Sequence, residues 1–151
     1  MKATDLLRRQ HNEVKALFQQ IRDTEGDEQR QLCNQLAQML RSHNTIEEEL
    51  FYPRFEHKEG FEDLISTSFD QHQQAVLALR DVETADPGDP SLIDLLDRVE
   101  QLVLEHVGIE EQELLPRVES LWTNDMLDDL GRELKERFDQ LLQESGAEQR
   151  V

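Results

Sequence analysis

Residues 43–56 read HNTIEEELFYPRFE, and residues 106–119 read HVGIEEQELLPRVE. Aligned without gaps, the two agree at seven of fourteen positions, pairing His43 with His106, Glu47 with Glu110 and Pro53 with Pro116. Chance would give roughly one match, so the chain carries an internal repeat. A second pair extends it: QHNEV at 10–14 stands 61 residues before QHQQA at 71–75. Each half therefore supplies one histidine and then, on the next segment, His-x-x-x-Glu. That is the pattern of a duplicated helix pair.

Read outward from the repeat, apolar residues recur with period 3.6. Helix one, residues 4–23, places Leu7, His11, Val14, Phe18 and Ile21 on one stripe and stops at TEGD. Helix two, 28–52, continues through Leu32, Leu36, Met39, Leu40, His43, Glu47 and Leu50 and ends before Pro53, which a helix interior rejects. Helix three, 61–84, carries Ile65, Phe69, His72, Val76 and Leu79, with Ala75 at the edge of the stripe. After ADPGDP, Ser91 is the expected N-cap of helix four, 92–115, whose stripe is Leu92, Leu96, Val99, Val103, His106, Glu110 and Leu114 before Pro116. Helix five, about 124–143, carries Leu127, Leu130, Leu134, Phe138 and Leu141.

Short connections between helices of this length make sequential neighbours antiparallel. The expected fold is all-α, an up-down-up-down antiparallel four-helix bundle with an extra C-terminal helix. Residues 1–119 are expected to form the metal-binding bundle. Residues 120–151 form the C-terminal helix, packed on the bundle or on another subunit, with a frayed tail. At 151 residues one core is the default.

The composition excludes several classes of function. A net charge of -18 opposes a phosphate backbone or an anionic membrane surface, so neither nucleic acid nor membrane is an expected partner. No apolar run approaches the roughly 20 residues of a membrane span, and MKATDLLRRQH does not read as a secretory signal. The single cysteine, Cys33, rules out an internal disulfide and reads as a small core residue. The expected compartment is the cytoplasm.

Six polar side chains fall on the apolar stripes: His11, His43, Glu47, His72, His106 and Glu110. Burying an unpaired imidazole or carboxylate costs several kcal/mol, so such groups persist in cores when they bond together or bind a cation. A single core histidine is ordinarily a satisfied one, but four at repeat-related positions form a ligand set. Residues i and i+4 share a helix face, so His43 with Glu47 and His106 with Glu110 can each reach one centre. Two carboxylates can bridge two cations, and two histidines can terminate each. Imidazole with carboxylate suits iron, manganese or zinc, and iron is the expected metal. Two ferrous ions with two carboxylates leave positive charge, which favours a bridging oxo or hydroxo group and open positions for small ligands. Glu48 and Glu111, about 100° round the helix, read as solvated helix face, and His57 as an exposed loop residue. Arg54 and Arg117 read as cations at helix ends.

The ordered set His11, His43-x-x-x-Glu47, His72, His106-x-x-x-Glu110 resembles the hemerythrin-like, or HHE cation-binding, family across residues 1 to about 119. That resemblance implies a non-haem di-iron site, with His11 and His43 on one iron, His72 and His106 on the other, and Glu47 and Glu110 bridging. Oxygen-carrying members place a second histidine one turn after the third-helix ligand, where this chain has Val76. The resemblance therefore implies a two-plus-two site, as in members linked to iron or oxygen sensing, nitric oxide handling or repair of stress damage. Ferritin-like bundles use Glu-x-x-His, which does not occur here.

The leading expectation is a di-iron protein that binds or senses dioxygen, peroxide or nitric oxide. Two alternatives remain open. One is a di-iron enzyme with peroxidase-like, ferroxidase or stress-repair activity. The other is an interaction module with structural zinc, in which helix five docks a partner or a second copy of the chain.

Overall fold

A computed structural model of the chain describes residues 1–86 and 88–149. Pro87 of the ADPGDP connection and the last two residues of the expected frayed tail lie outside the described residues. Four helices form the bundle: α1 (Ala3–Arg22), α2 (Gly26–Ile46), α3 (Glu62–Thr84) and α4 (Leu92–Ile109). A short α5 (Leu115–Leu121) prolongs α4, and α6 (Asn124–Gln149) lies against α1 and α2. Among the described residues there is no strand.

The apolar stripes make the core. Leu7, Phe18, Ile21, Leu36, Leu79, Leu96 and Val99 are wholly buried, and each such side chain contributes about 1.5–3 kcal/mol. Ion pairs show the antiparallel run of α1 against α4. Arg22, at the end of α1, meets Asp97 at 2.6 Å and Glu100 at 2.8 Å near the start of α4. Arg8, near the start of α1, meets Glu119 in α5 at 2.7 Å. Gly26, at φ 67°, turns the chain from α1 into α2, a conformation open to glycine.

Two helices depart from regular winding at one place. Glu47–Phe51 and Glu110–Leu114 are π turns, in which Tyr52 N–H donates to Glu47 O and Leu115 N–H to Glu110 O, five residues back. They stand 63 residues apart, so the repeat duplicates its irregularity as well as its ligating residue types. The π turn also corrects the expectation at Pro116. The proline does not end the helix; it follows directly on the widened π turn, and α5 continues through it to Leu121. Pro53 sits in a single 3₁₀ turn, Tyr52–Arg54, after which the helix does stop.

On α6, Leu127, Leu130, Leu134 and Phe138 are buried, and two ion pairs tie the helix to the α2 end of the bundle, Arg54 to Glu133 at 3.0 Å and Arg137 to Glu49 at 3.1 Å. It runs six residues past the expected end at 143. Ser91 stands at the N-cap of α4 without capping it; its hydroxyl donates instead to Asp89 Oδ1 at 2.8 Å. Cys33 is buried, and burial pushes its thiol pKa up.

Candidate metal centre

His11 from α1, His43 and Glu47 from α2 and its π turn, His72 from α3, and His106 and Glu110 from α4 and its π turn converge at mid-bundle. None is more than 5% exposed. Glu47 Oε1 lies 3.1 Å from His43 Nε2 and 3.0 Å from His72 Nε2. Glu110 lies 3.2 Å from His11 Nε2 through Oε1 and 3.1 Å from His106 Nε2 through Oε2. Each carboxylate thus spans two helices of opposite halves.

The six side chains resolve into two overlapping groups. Ligating atoms of His11, His43, Glu47 and Glu110 lie within 4.8 Å of one another, and so do those of Glu47, His72 and His106. Glu47 belongs to both. His72 Nε2 bonds to Glu47 Oε1 and His106 Nε2, but both ring nitrogens of His11, His43 Nε2, His72 Nδ1, Glu47 Oε2 and Glu110 Oε1 are buried without a hydrogen-bond partner. Buried orphans are rare because each forfeits its hydration, so six in one cluster are the signature of a place built for cations. The residues fit a pair of metal ions.

The electrostatics agree. Burial alone would lower the pKa of His11, His72 and His106, but the carboxylates outweigh it: Glu110 chiefly for His11, Glu47 and Glu48 for His72, and Glu110 with Glu47 for His106, which is carried up to about 10. Burial opposes ionisation of Glu47, yet His43 and its other neighbours hold it well below the carboxylate range. Burial and the Glu47 charge push Glu110 up, and His106 brings it back below the ordinary value. The cluster draws positive charge into the core, as protons when nothing else supplies it.

A second ring of side chains surrounds the first. Gln10 Oε1 of α1 accepts from His43 Nδ1 at 2.7 Å, so His43 Nδ1 carries the proton; Gln71 Oε1 of α3 accepts likewise from His106 Nδ1 at 2.8 Å. Glu48 lies 3.4 Å from His72 Nδ1, and Glu111 lies 3.6 Å from His11 Nδ1. Each helix therefore addresses a histidine of the next, α1 to α2, α2 to α3, α3 to α4 and α4 to α1. Glu48 and Glu111 are not the solvated face expected of them. A residue 100° round from an inward position points along the seam to the neighbouring helix, and there it meets an imidazole. His57 is exposed, with Glu56 as its neighbour at 3.4 Å.

Sequence reasoning missed Tyr52. It is fully buried, donates to Glu110 Oε2 at 2.6 Å, and lies 3.3 Å from His72 Nε2 and 3.4 Å from His106 Nε2. Five residues after Glu47, a regular helix would turn it about 140° away; the wider π turn brings it back to the inner face. Burial first, then the charges of Glu110 and Glu47, holds the Tyr52 hydroxyl well above its ordinary pKa. Its repeat counterpart is Leu115, so the two halves of the centre differ here.

Beside the four imidazoles lies a cavity of about 10 Å³, walled by Val14, Leu40, Ala75, Val103 and Val107, with Asn44 and Gln71 also at its edge. That is room for about one small molecule. Ala75, expected at the edge of its stripe, faces this cavity, whereas Val76 is only half-buried and lines a groove on the outside.

The family model described as the hemerythrin HHE cation-binding domain matches residues 2–118. A DNA nickase from Nostoc sp. is 23% identical over 149 residues, 98% of this chain and 42% of its own length, so the chain spans less than half of that relative. The crystal structure of a hemerythrin HHE cation-binding domain-containing protein from Mycobacterium kansasii, described as an Rv2633c homolog, superposes with a TM-score of 0.88 at 22% identity, covering 100% of this chain and 93% of the other. At that identity the likeness shows a shared fold. Among the described residues no helix is long and apolar enough to cross a membrane.

Proposed function

The chain belongs to the hemerythrin HHE cation-binding family, and from that premise we infer that it holds two iron ions and uses them to bind or sense a small ligand: dioxygen, nitric oxide or peroxide. The observation that carries this reading is the pair of overlapping donor groups that share Glu47. His11 and His43 would hold one ion, His72 and His106 the other, and Glu47 and Glu110 would lie between them. Zinc or manganese suits the same donors, but iron supplies reversible or redox chemistry toward small ligands. Around it, Gln10 and Gln71 fix the protons of His43 and His106 on Nδ1, leaving Nε2 free to donate to a cation. The apolar side of the cavity, Val14, Leu40, Ala75, Val103 and Val107, suits an uncharged diatomic, and Asn44, whose side-chain nitrogen is buried without a partner, offers one hydrogen-bond donor to it.

Anaerobic reconstitution with ferrous iron, followed by metal analysis and optical spectra, tests the reading. About two ions per chain and a spectrum that moves with dioxygen or nitric oxide are expected. Fewer than one ion per chain, or a spectrum indifferent to every ligand, overturns it. Zinc retained through purification, with no iron uptake, supports the structural-zinc module instead.

Tyr52 favours a second reading, an enzyme that turns over peroxide. Reducing peroxide consumes protons, and the Tyr52 hydroxyl, hydrogen-bonded to Glu110 at 2.6 Å, stands inside the centre where one would be delivered. Multiple turnover with peroxide that falls in Tyr52→Phe separates this from binding alone. DNA nicking, the activity named for the Nostoc relative, is not carried over to this chain: a charge of -18 repels the phosphate backbone, and the shared region is 42% of that protein.

A further inference from the structure

The centre is enclosed, so whatever loads it must pass between two helices, and the four seams differ. The α1/α2 seam is covered by α6. A pocket remains there, but its inner wall is Gln10, its charged rim is closed by the pairs Arg9 with Glu13 and Lys135 with Asp139, and none of the six inward side chains lines it. The α4/α1 seam is bridged at one end by Arg22 with Asp97 and Glu100, and at the other by Arg8 and Thr4 on Glu119, at 2.7 and 2.9 Å. Helices α3 and α4 pack against each other more extensively than any other pair.

The α2/α3 seam is different. Arg41, two residues before His43, pairs with Glu83 across it, but the seam also opens into a groove lined by Glu48, Phe69, Asp70, His72, Val76 and Arg80. Glu48 is 37% exposed, while His72, 3.4 Å away, is 4% exposed and its Nδ1 is buried without a hydrogen-bond partner. His72 lines the inner cavity as well as this outer groove. Its ring is the partition between solvent and the centre, and the Glu48 carboxylate stands against its outer edge.

We propose that the α2/α3 groove is the entry route for the metal cations, with His72 as its shutter and Glu48 as the positioning residue that receives the incoming ion and holds the ring. A cation meeting Glu48 takes up the carboxylate that stands 3.4 Å from His72 Nδ1 without a hydrogen bond to it, and leaves the ring free to swing. The overall negative charge concentrates cations at the surface, and Glu48 with Asp70 leads them inward past Val76. The repeat counterpart, Glu111 beside His11, faces a bridged seam and has no such task. This proposal rests on the reading that the six side chains hold metal.

Stopped-flow mixing of the metal-free full chain with cobalt(II) alone, followed by its visible absorption, tests the route. Val76→Trp, which fills the groove, is expected to slow uptake about tenfold, a barrier about 1.4 kcal/mol higher, with the same cobalt content at equilibrium. Glu48→Gln is expected to slow it several-fold, one charge's share of the roughly 10- to 1,000-fold that a whole charged cleft supplies, while Glu111→Gln stays near the wild-type rate. Uptake by Val76→Trp at the wild-type rate overturns the route. So does equal slowing by Glu48→Gln and Glu111→Gln. The glutamine variants keep side-chain size, so their comparison stands even if the tryptophan disturbs folding. A wild-type chain that takes up no cobalt overturns the metal reading itself, and the route with it.

Discussion

Tyr52 donates its hydroxyl proton to Glu110 Oε2 across 2.6 Å, joining the end of one π turn to the start of the other. No matching bond reaches Glu47, because the repeat places Leu115 where a second tyrosine would stand. The duplicated hairpins therefore build a centre that is symmetric in its imidazoles and asymmetric in its carboxylates. Tyr52→Phe keeps the ring that packs against Phe51 and Phe69 and deletes only the donor. Losing a hydrogen bond to a buried carboxylate costs about 1.5–3 kcal/mol. Chemical denaturation of the metal-free variant should show a loss of that size, with an unchanged dependence on denaturant; equal stability would mean the bond is not made.

The two carboxylates should also differ in what their loss does to metal content. Glu47 is common to both groups of donor atoms, whereas Glu110 is counted in the group of His11 and His43. After reconstitution, Glu47→Ala is expected to hold almost no metal and Glu110→Ala to retain about one ion per chain, on the His72 side. Elemental analysis of both variants decides it. Matching contents, whether both empty or both full, would contradict the sharing of Glu47.

Much of this was legible before any coordinates, for a definite reason. Burial of imidazole at a helical period is costly, so His11, His43, His72 and His106 announced the centre by standing where leucine belongs. What could not be read was the winding. Periodicity arguments assume 3.6 residues per turn, and the π turns at Glu47 and Glu110 add a residue to the count. Downstream of Glu47 the phase moves, so Leu50 is only half-buried while Phe51 and Tyr52 are fully buried. Pro116 was misread for the same cause. Gln10 and Gln71 drew no role, and Glu48 and Glu111 read as solvated face, because their partners lie on other helices and a one-helix wheel has no place for a neighbour. Repetition was the available clue: QH recurs at 10–11 and 71–72, and IEE at 46–48 and 109–111.

Gly131 tests how α6 is seated. A Cβ there would stand 2.0 Å from Met1 O and 3.0 Å from Ala3 N, so the backbone that opens α1 lies directly on α6. Alanine ordinarily favours a helix over glycine by about 1 kcal/mol, but overpacking against backbone costs about 1–3 kcal/mol and cannot be relieved by a rotamer. Gly131→Ala is therefore expected to lower the melting temperature by a few degrees, whereas Gly146→Ala, with open space around its Cβ, should not lower it. A rise at position 131 would show that the N-terminal segment yields freely.

The pH dependence of stability should reverse on metal loading. His11, His72 and His106 have folded pKa values above the ordinary 6.5, because the carboxylates outweigh burial. Their protons are held more tightly folded than unfolded, so the stabilisation is complete below about 6.5 and is lost as pH climbs through the folded values, ending near 10 for His106. Glu47 and Glu110 are shifted down from 4.5, so their contribution is complete above that value and is lost in acid as they protonate. The metal-free chain should be most stable between about 4.5 and 6.5 and weaken toward both sides. Cations in the centre replace those protons and bind deprotonated donors, so raising the pH strengthens their hold until hydroxide competes. Thermal unfolding from pH 4 to 10, with and without metal, should give curves that diverge above pH 6.5, the metal-free one falling. Parallel curves would mean that the imidazoles carry no protons for the metal to displace.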